Sequence, residues 1–177
     1  MFNKFFKKKE KENLSDDNIM IAALLVHAAK IDDNYSTTEK TLIKKSIMTL
    51  NSISEQEAEN IIAKAEAKEQ QSNQLIGFTS KIKKKSMEFR FNIIEILWKI
   101  VYSDKTIDSY ESNLIRRICG LLYVSDKDNG IIKEAVRENI MKGVYSYAGS
   151  MGLRIFTDNQ VTDFMTSSTY IKVGGLK

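Results

Sequence analysis

Apolar residues recur every three or four positions through most of the chain, which is the spacing of one face of an α-helix. Ser or Asp residues stand between these stretches and carry the side chains typical of helix N-caps. The pattern predicts seven helices, which begin near residues 15, 36, 54, 72, 86, 108 and 125. The fourth of them is predicted to bury Leu75, Ile76, Thr79 and Ile82 on one side.

One helical hairpin occurs twice along the chain. The segment that begins at Ile19 aligns with the segment that begins at Phe91, so the offset from 19 to 91 is 72 residues. Each copy contains an apolar helix, a short acidic loop and a second amphipathic helix. We therefore expect an all-α fold, a single bundle of about seven helices with an internal pseudo-repeat. The aligned pairs include Leu25 and Leu97, Asp32 and Asp104, Glu39 and Glu111, Leu42 and Leu114, and Ile43 and Ile115.

Composition divides the 177 residues into three predicted parts: a basic flexible leader at 1–14, a helical domain at 15–142, and a poorly ordered tail at 143–177. The chain has no proline, and 42% of its residues are hydrophobic, which suits a helical domain with a sizeable core. Five of its eight glycines lie after residue 142, where neither a helical nor a strand period is sustained. The helical domain is therefore predicted to end near residue 142.

The net charge of +4 belongs to the leader, because residues 1–11 contain five lysines and one glutamate. The remaining 166 residues are formally neutral, so we expect no nucleic-acid partner, which would favour a basic surface across the fold. Phe2, Phe5 and Phe6 share one helical face among these lysines. Residues 1–11 therefore have two interpretations: a segment that lies on an anionic membrane surface, or a solvated start.

Cysteine usage and hydropathy give an expected location. The single Cys119 excludes a disulfide framework within one chain, and its apolar helical setting predicts a buried, inert thiol. The first residues lack the apolar core of a signal peptide, and the apolar stretch 19–29 is too short to cross a bilayer. We expect a cytoplasmic protein, with the inner membrane face as a peripheral alternative.

The two acidic loops are the main candidates for chemistry. Each has an Asp at the exit of one helix and a Glu seven residues later in the first turn of the next helix. Carboxylates on a short, turned backbone are ligands that Ca²⁺ and Mg²⁺ prefer. The alternative is structural, since Ser36–Glu39 and Asp108–Glu111 also have the spacing of a capping box. The spacing differs from an EF-hand loop, which has Gly at its sixth position and Glu at its twelfth.

A doubled apolar helix, acidic loop and Glu followed by a Leu-Ile pair resembles the tellurite-resistance TerB family over about residues 14–142. It is also similar to the N-terminal domain of DjlA-type co-chaperones. The resemblance implies an all-helical fold, a non-enzymatic role and an acidic patch that takes a divalent cation. On the matching positions, that patch consists of Asp32, Asp33, Glu39, Asp104, Asp108 and Glu111. The family usually has Gly after the loop Asp, where this chain has Asp33 and Lys105.

Three functional hypotheses follow. The first is a non-enzymatic TerB-like binding or signalling module in stress resistance, with a protein partner and a Ca²⁺ or Mg²⁺ ion as its only candidate cofactor. The second is a metal-independent adaptor or co-chaperone-like interaction domain. The third is a carboxylate-metal hydrolase, which this chain disfavours because no His stands three residues after a Glu. The only histidine, His27, is predicted to be partly buried and hydrogen-bonded, with the role of a general base as its alternative.

Overall fold

The computed structural model describes residues 2–31, 35–71, 74–103 and 109–150, and within them the side chains of 16–31, 35–71, 74–103 and 110–142. These residues contain seven helices and no strand, which confirms the predicted all-α class. The helices are α1 (Phe2–Ala29), α2 (Thr37–Asn51), α3 (Glu55–Gln71), α4 (Leu75–Ile82), α5 (Met87–Val101), α6 (Ser109–Leu121) and α7 (Asp126–Ser150).

The internal repeat is visible in the helix boundaries. The first copy is α1 to α3 and the second is α5 to α7, with α4 between them. Helix α1 ends at Ala29 and α5 at Val101, and α2 begins at Thr37 and α6 at Ser109, so both pairs keep the offset of 72 (29 to 101, 37 to 109). Residues that occupy the same position in the two copies are called counterparts below.

The offset falls to 71 at the start of the third helix of each copy. Helix α3 begins at Glu55 and α7 at Asp126, so the second copy is one residue shorter (55 to 126). Ser52 and Tyr123 keep this offset, and both have a left-handed backbone, with φ of 50° and 56°. In both copies this residue ends the second helix with the same hydrogen bond: Ile53 N donates to Met48 O, and Val124 N to Cys119 O.

The two copies share one hydrophobic core. Helix α1 packs against α2, α3, α4 and α5, while α5 packs against α1, α2, α6 and α7. The largest buried residues come mainly from these two helices, and burial of each such aliphatic side chain contributes about 1.5–3 kcal/mol. The predicted burial of Cys119 is confirmed, and Trp98 is also buried.

Helix α1 begins at Phe2, whereas the sequence predicted a start near residue 15. Residues 2–29 contain no Gly or Pro and many Lys and Glu, which favour helix, so nothing stops it at residue 15. Asp17, near the predicted start, lies inside α1 and pairs with Lys85 at 2.8 Å and Lys81 at 3.8 Å. The flexibility of residues 1–14 and their contact with a membrane stay predictions.

The buried face of α4 and the end of α7 differ from the predicted ones. In α4, Ile76 is 68% exposed and Phe78 is buried, because 75, 78, 79 and 82 follow the helical spacing more closely than 76 does. Helix α7 exposes Ile131 and continues to Ser150, beyond the expected end at 142. The tail from 151 to 177 lies outside the described residues. None of the described helices is long and apolar enough to cross a membrane.

Candidate functional site

Two of the six predicted cation ligands lie in the described part of the chain. Glu39 and Glu111 occupy the first turns of α2 and α6, and they are only 2% and 6% exposed. The other four, Asp32, Asp33, Asp104 and Asp108, lie outside the described residues. The site is therefore defined here by two buried glutamates at counterpart positions, each directly after an acidic loop.

The first glutamate is held by a capping box at the start of α2. Ser36 N and Ser36 Oγ donate to Glu39 Oε2 at 2.7 Å and 2.9 Å, and Glu39 N donates to Ser36 Oγ at 3.2 Å. These bonds satisfy backbone donors that α2 would otherwise leave open and fix the orientation of the carboxylate. The predicted cap at Ser36 is confirmed.

The same capping box occurs at the start of α3 with a different environment. Ser54 N donates to Glu57 Oε2 at 3.0 Å, and Glu57 N donates to Ser54 Oγ at 3.3 Å, which confirms this second predicted cap. Glu57 is nevertheless exposed, whereas Glu39 is buried. Capping therefore does not require a buried carboxylate. Since burial of a carboxylate costs free energy, the burial of Glu39 needs a reason beyond the cap.

A group of charged residues from α2 and α3 surrounds the end of the first loop. Tyr35 directly follows the loop, and its hydroxyl is buried. Burial, together with the negative charges of Glu66 and Glu39, raises the pKa of this hydroxyl. Lys40 Nζ lies 2.8 Å from Glu66 Oε1 and joins α2 to α3. The first loop therefore ends in a region of negative charge that is partly balanced by lysine.

A second group joins the end of α1 to α3. Lys30 Nζ donates to Glu69 Oε2 at 2.8 Å, and His27 Nδ1 lies 3.2 Å from Glu69 Oε1. Burial opposes ionisation of Glu69, but the hydrogen bonds from Lys30 and His27 outweigh it and lower the pKa of this carboxyl. The His27 ring also lies 6.1 Å from the ring of Phe78. His27 is thus partly buried and hydrogen-bonded, as its position in the sequence predicted.

The second copy has different side chains at the counterpart positions. Tyr102 is the counterpart of Lys30 (30 to 102), and Ile140 that of Glu69 (69 to 140). Trp98 is buried there, donates through Nε1 to Asn129 Oδ1 at 2.9 Å, and has Lys133 Nζ 4.7 Å from its ring centroid. The corresponding interface is therefore aromatic in the second copy and ionic in the first.

Sequence reasoning missed two glutamates of α3 that pair with lysines of neighbouring segments, Glu69 with Lys30 and Glu66 with Lys40. Both glutamates follow the buried Ala65 at the edge of the buried face of α3, and His27 and Lys30 lie beside the buried residues of α1. Opposite charges at the edges of two buried faces were the available signal. The individual charge pairs could be assigned only once the structure showed that α1 packs on α3.

Two features of the described residues bear on the chemistry of the site: the protonation state of Cys119 and the grouping of possible metal ligands. Burial, followed by the charge of Asp126, raises the pKa of the Cys119 thiol to about 12, so this thiol is protonated at neutral pH. Within the described ranges, no three His, Cys, Asp or Glu residues are grouped closely enough to hold a metal ion. A cation at this site would therefore need oxygen ligands from the loops themselves.

A single helical bundle, built from two copies of a helix–acidic loop–helix unit with a buried glutamate after each loop, defines a class of doubled helical-hairpin domains. The model of the family described as Tellurite resistance protein TerB matches residues 18–134 of this chain. The chain therefore belongs to the TerB family, as the doubled hairpin predicted. No curated protein and no solved structure matches it.

Proposed function

We propose that this protein is a non-enzymatic TerB-type binding module in which the two acidic loops hold a divalent cation, Ca²⁺ or Mg²⁺. The candidate ligands are Asp32, Asp33 and Glu39 in the first copy and Asp104, Asp108 and Glu111 in the second. Its biological setting is a stress response of the kind that gives the family its name. The bound ion would stabilise the loops and present them to a protein partner.

The observation that carries this proposal is the burial of Glu39 and Glu111 at counterpart positions. Glu57 has the same capping hydrogen bonds as Glu39 and remains exposed, so the cap alone does not account for a buried carboxylate. The carboxylate oxygens of Glu39 and Glu111 have the hard oxygen chemistry that these cations prefer.

Electrostatics in the first copy support the same proposal. The negative charges of Glu66 and Glu39 both raise the pKa of Tyr35, the residue that directly follows the loop. A cation is attracted to such a region because partial burial reduces solvent screening of the carboxylates. In the second copy, Arg137 is the counterpart of Glu66 (66 to 137), and Lys105 lies in the loop. The first loop is therefore the stronger candidate.

A metal-independent adaptor, or a co-chaperone-like interaction domain, is the second candidate function. The capping box favours it, because Glu39 already has hydrogen-bond partners without any ion. In this alternative the buried glutamates stabilise the first turns of α2 and α6, and the loops contact a partner directly. Partner binding would then be unchanged by a chelator.

Calorimetric titration with CaCl₂ and with MgCl₂ tests the proposal. We expect binding to the natural chain, and a loss of affinity of about tenfold or more in the double variant Asp32→Asn/Asp104→Asn. The matched control is Glu57→Gln/Asp128→Asn, which removes the same two charges at a counterpart pair outside the loops (57 to 128). Its affinity should equal that of the natural chain.

Two results would contradict the cation proposal. One is the absence of heat at millimolar cation, which would favour the adaptor. The other is equal affinity in the loop variant and in the natural chain, which would place the ion elsewhere. If the control variant loses as much affinity as the loop variant, the attraction is general to the surface and not a property of the loops.

A further inference from the structure

The solvent-facing side of α6 has an unusual composition. Tyr110 is 71% exposed at its start, and Tyr123, just after its end, is 68% exposed. The opposite side of the helix contributes Ile115 and Ile118 to the core. We call this side the α6 outer face; it consists of Tyr110, Asn113, Arg116, Arg117, Gly120 and Tyr123. It carries no acidic residue.

The two arginines of the α6 outer face make no ion pair or hydrogen bond with any residue in the described part of the chain. In the first copy, the counterpart of Arg116 does form ion pairs. Lys44, the counterpart of Arg116 (44 to 116), pairs with Glu55 at 2.6 Å and with Glu59 at 3.2 Å. In the second copy Gly130 replaces Glu59 (59 to 130), so one of the acidic partners is missing.

Tyr123, at one end of the α6 outer face, has an unusual backbone conformation. Its backbone is left-handed, with φ of 56°, a conformation that a bulky side chain adopts rarely. Its counterpart in the first copy is Ser52, which has a similar φ of 50° and a small side chain. An exposed tyrosine contributes little packing to the folded chain, so its presence at a strained position favours a role outside the fold.

We infer that the α6 outer face binds an acidic segment of a partner protein. This inference rests on the proposed function as a binding module and names the surface and the chemistry of its partner. Arginine binds carboxylates through two parallel hydrogen bonds, and Tyr and Arg are the residues that most often anchor protein interfaces. The unpaired charges of Arg116 and Arg117 complement a segment rich in Glu or Asp.

The number of basic residues on the α6 outer face favours an acidic protein segment over nucleic acid or anionic lipid as the partner. A protein that neutralises about six to ten phosphates of nucleic acid uses Lys and Arg side chains for these contacts. Segments that bind anionic lipid usually contain about four to eight Lys or Arg residues in one cluster. The α6 outer face has two arginines between two tyrosines, which matches the scale and composition of a protein contact.

Fluorescence anisotropy with the full chain tests this inference. The probe is a fluorescein-labelled peptide of glutamates interspersed with leucines, at fixed ionic strength. We expect Arg116→Gln/Arg117→Gln to weaken binding about tenfold. Tyr123→Ser, which copies Ser52, should weaken it about threefold. The matched control Lys44→Gln/Lys45→Gln removes the same charge from the counterpart positions and should change affinity less than twofold.

Equal losses in the two double variants would overturn the inference, because binding would then depend on overall charge alone. So would the absence of binding, or tighter binding of the natural chain to single-stranded RNA or phosphatidylserine vesicles with the same arginine dependence. Far-UV circular dichroism checks that each variant is folded. If the peptide experiment fails while the calorimetric titration shows the expected cation binding, only the α6 outer face is rejected. If the peptide binds as expected and no cation binds, only the cation proposal is rejected.

Discussion

The two copies of the helical unit attach their first and third helices to each other by different chemistry. In the first copy His27 of α1, and Lys30 just after the end of α1, bind Glu69 of α3. In the second copy α5 and α7 meet through the buried Trp98 and its hydrogen bond to Asn129. The first helices nevertheless end 72 residues apart, the second helices begin 72 residues apart, and the third helices begin 71 residues apart. The backbone of a repeat is therefore compatible with either an ionic or an aromatic interface.

The difference also shows which features the two copies share. The interface residues diverge in size and charge, but Glu39 and Glu111 are acidic and buried in both copies. Ser54 and Ser125 likewise start the third helix in both, each accepting a hydrogen bond from a backbone N–H three residues later. Caps and buried loop glutamates are thus the common elements of the unit, while the residues between its first and third helices differ.

The largest expected effect comes from replacing Trp98 with its counterpart, Val26 (26 to 98). Trp98→Val should lower the free energy of unfolding by about 3 kcal/mol, because it opens a cavity and removes the hydrogen bond to Asn129. Urea unfolding followed by far-UV circular dichroism measures this change. Trp98→Phe, which keeps a ring, should cost about 1 kcal/mol. A loss below about 1 kcal/mol for Trp98→Val would show that the second copy does not depend on this ring.

An intermediate effect is expected at the ionic interface. Glu69→Ala leaves Lys30 and His27 without their acceptor and should cost about 1–2 kcal/mol in low salt. In 1 M NaCl the cost should shrink, because the Debye length falls to about 3 Å. The cost of Trp98→Val should not shrink under the same conditions. Equal salt dependence of the two variants, measured by urea unfolding, would contradict the contrast between the copies.

Acid should weaken the first copy through the same carboxylate. The pKa of Glu69 is lower in the folded chain than its ordinary value of 4.5, so the folded state binds fewer protons there. Its contribution to stability is therefore present above pH 4.5 and is lost as the pH falls through the folded pKa. The difference in free energy of unfolding between the natural chain and Glu69→Gln should be constant near neutral pH. It should disappear at lower pH. Ile140, the counterpart, cannot titrate.

The smallest expected effect is at the exposed ion pairs of Lys44. Lys44→Gln removes the contacts to Glu55 and Glu59, which are both mostly exposed. Exposed pairs contribute little, so the free energy of unfolding should change by less than about 0.5 kcal/mol. Arg116→Gln at the counterpart position should have no larger effect. A change above about 1 kcal/mol in urea unfolding would mean that this surface supports the fold.

Much of the fold could be predicted because its signals are local. The caps at Ser36, Ser54 and Ser86 fixed where α2, α3 and α5 begin, and the repeat related the second copy to the first. Errors arose where the local signal was weak. Ile76 is as apolar as Phe78, so both are candidates for the buried face of α4, and the helical spacing of 75, 78, 79 and 82 favours Phe78, which the structure buries.

Less of the candidate site than of the fold could be predicted from the sequence. Glu39 and Glu111 could be named because they follow aligned acidic loops, but their burial could not be inferred from that alignment. The contacts of Glu69 with His27 and Lys30 join residues 42 and 39 positions apart. Such pairs depend on the angle and register at which two helices pack, which the spacing of apolar residues does not specify.

The most direct test is ¹³C NMR of the glutamate side-chain carboxyl carbons while Ca²⁺ or Mg²⁺ is added to the full chain. Glu57 serves as the internal control, because it has the same capping box as Glu39 and is exposed. We predict that the signals of Glu39 and Glu111 shift with saturation while that of Glu57 does not. Equal shifts at Glu57, or unchanged signals at both buried glutamates, would contradict a cation-binding role for the repeated loops.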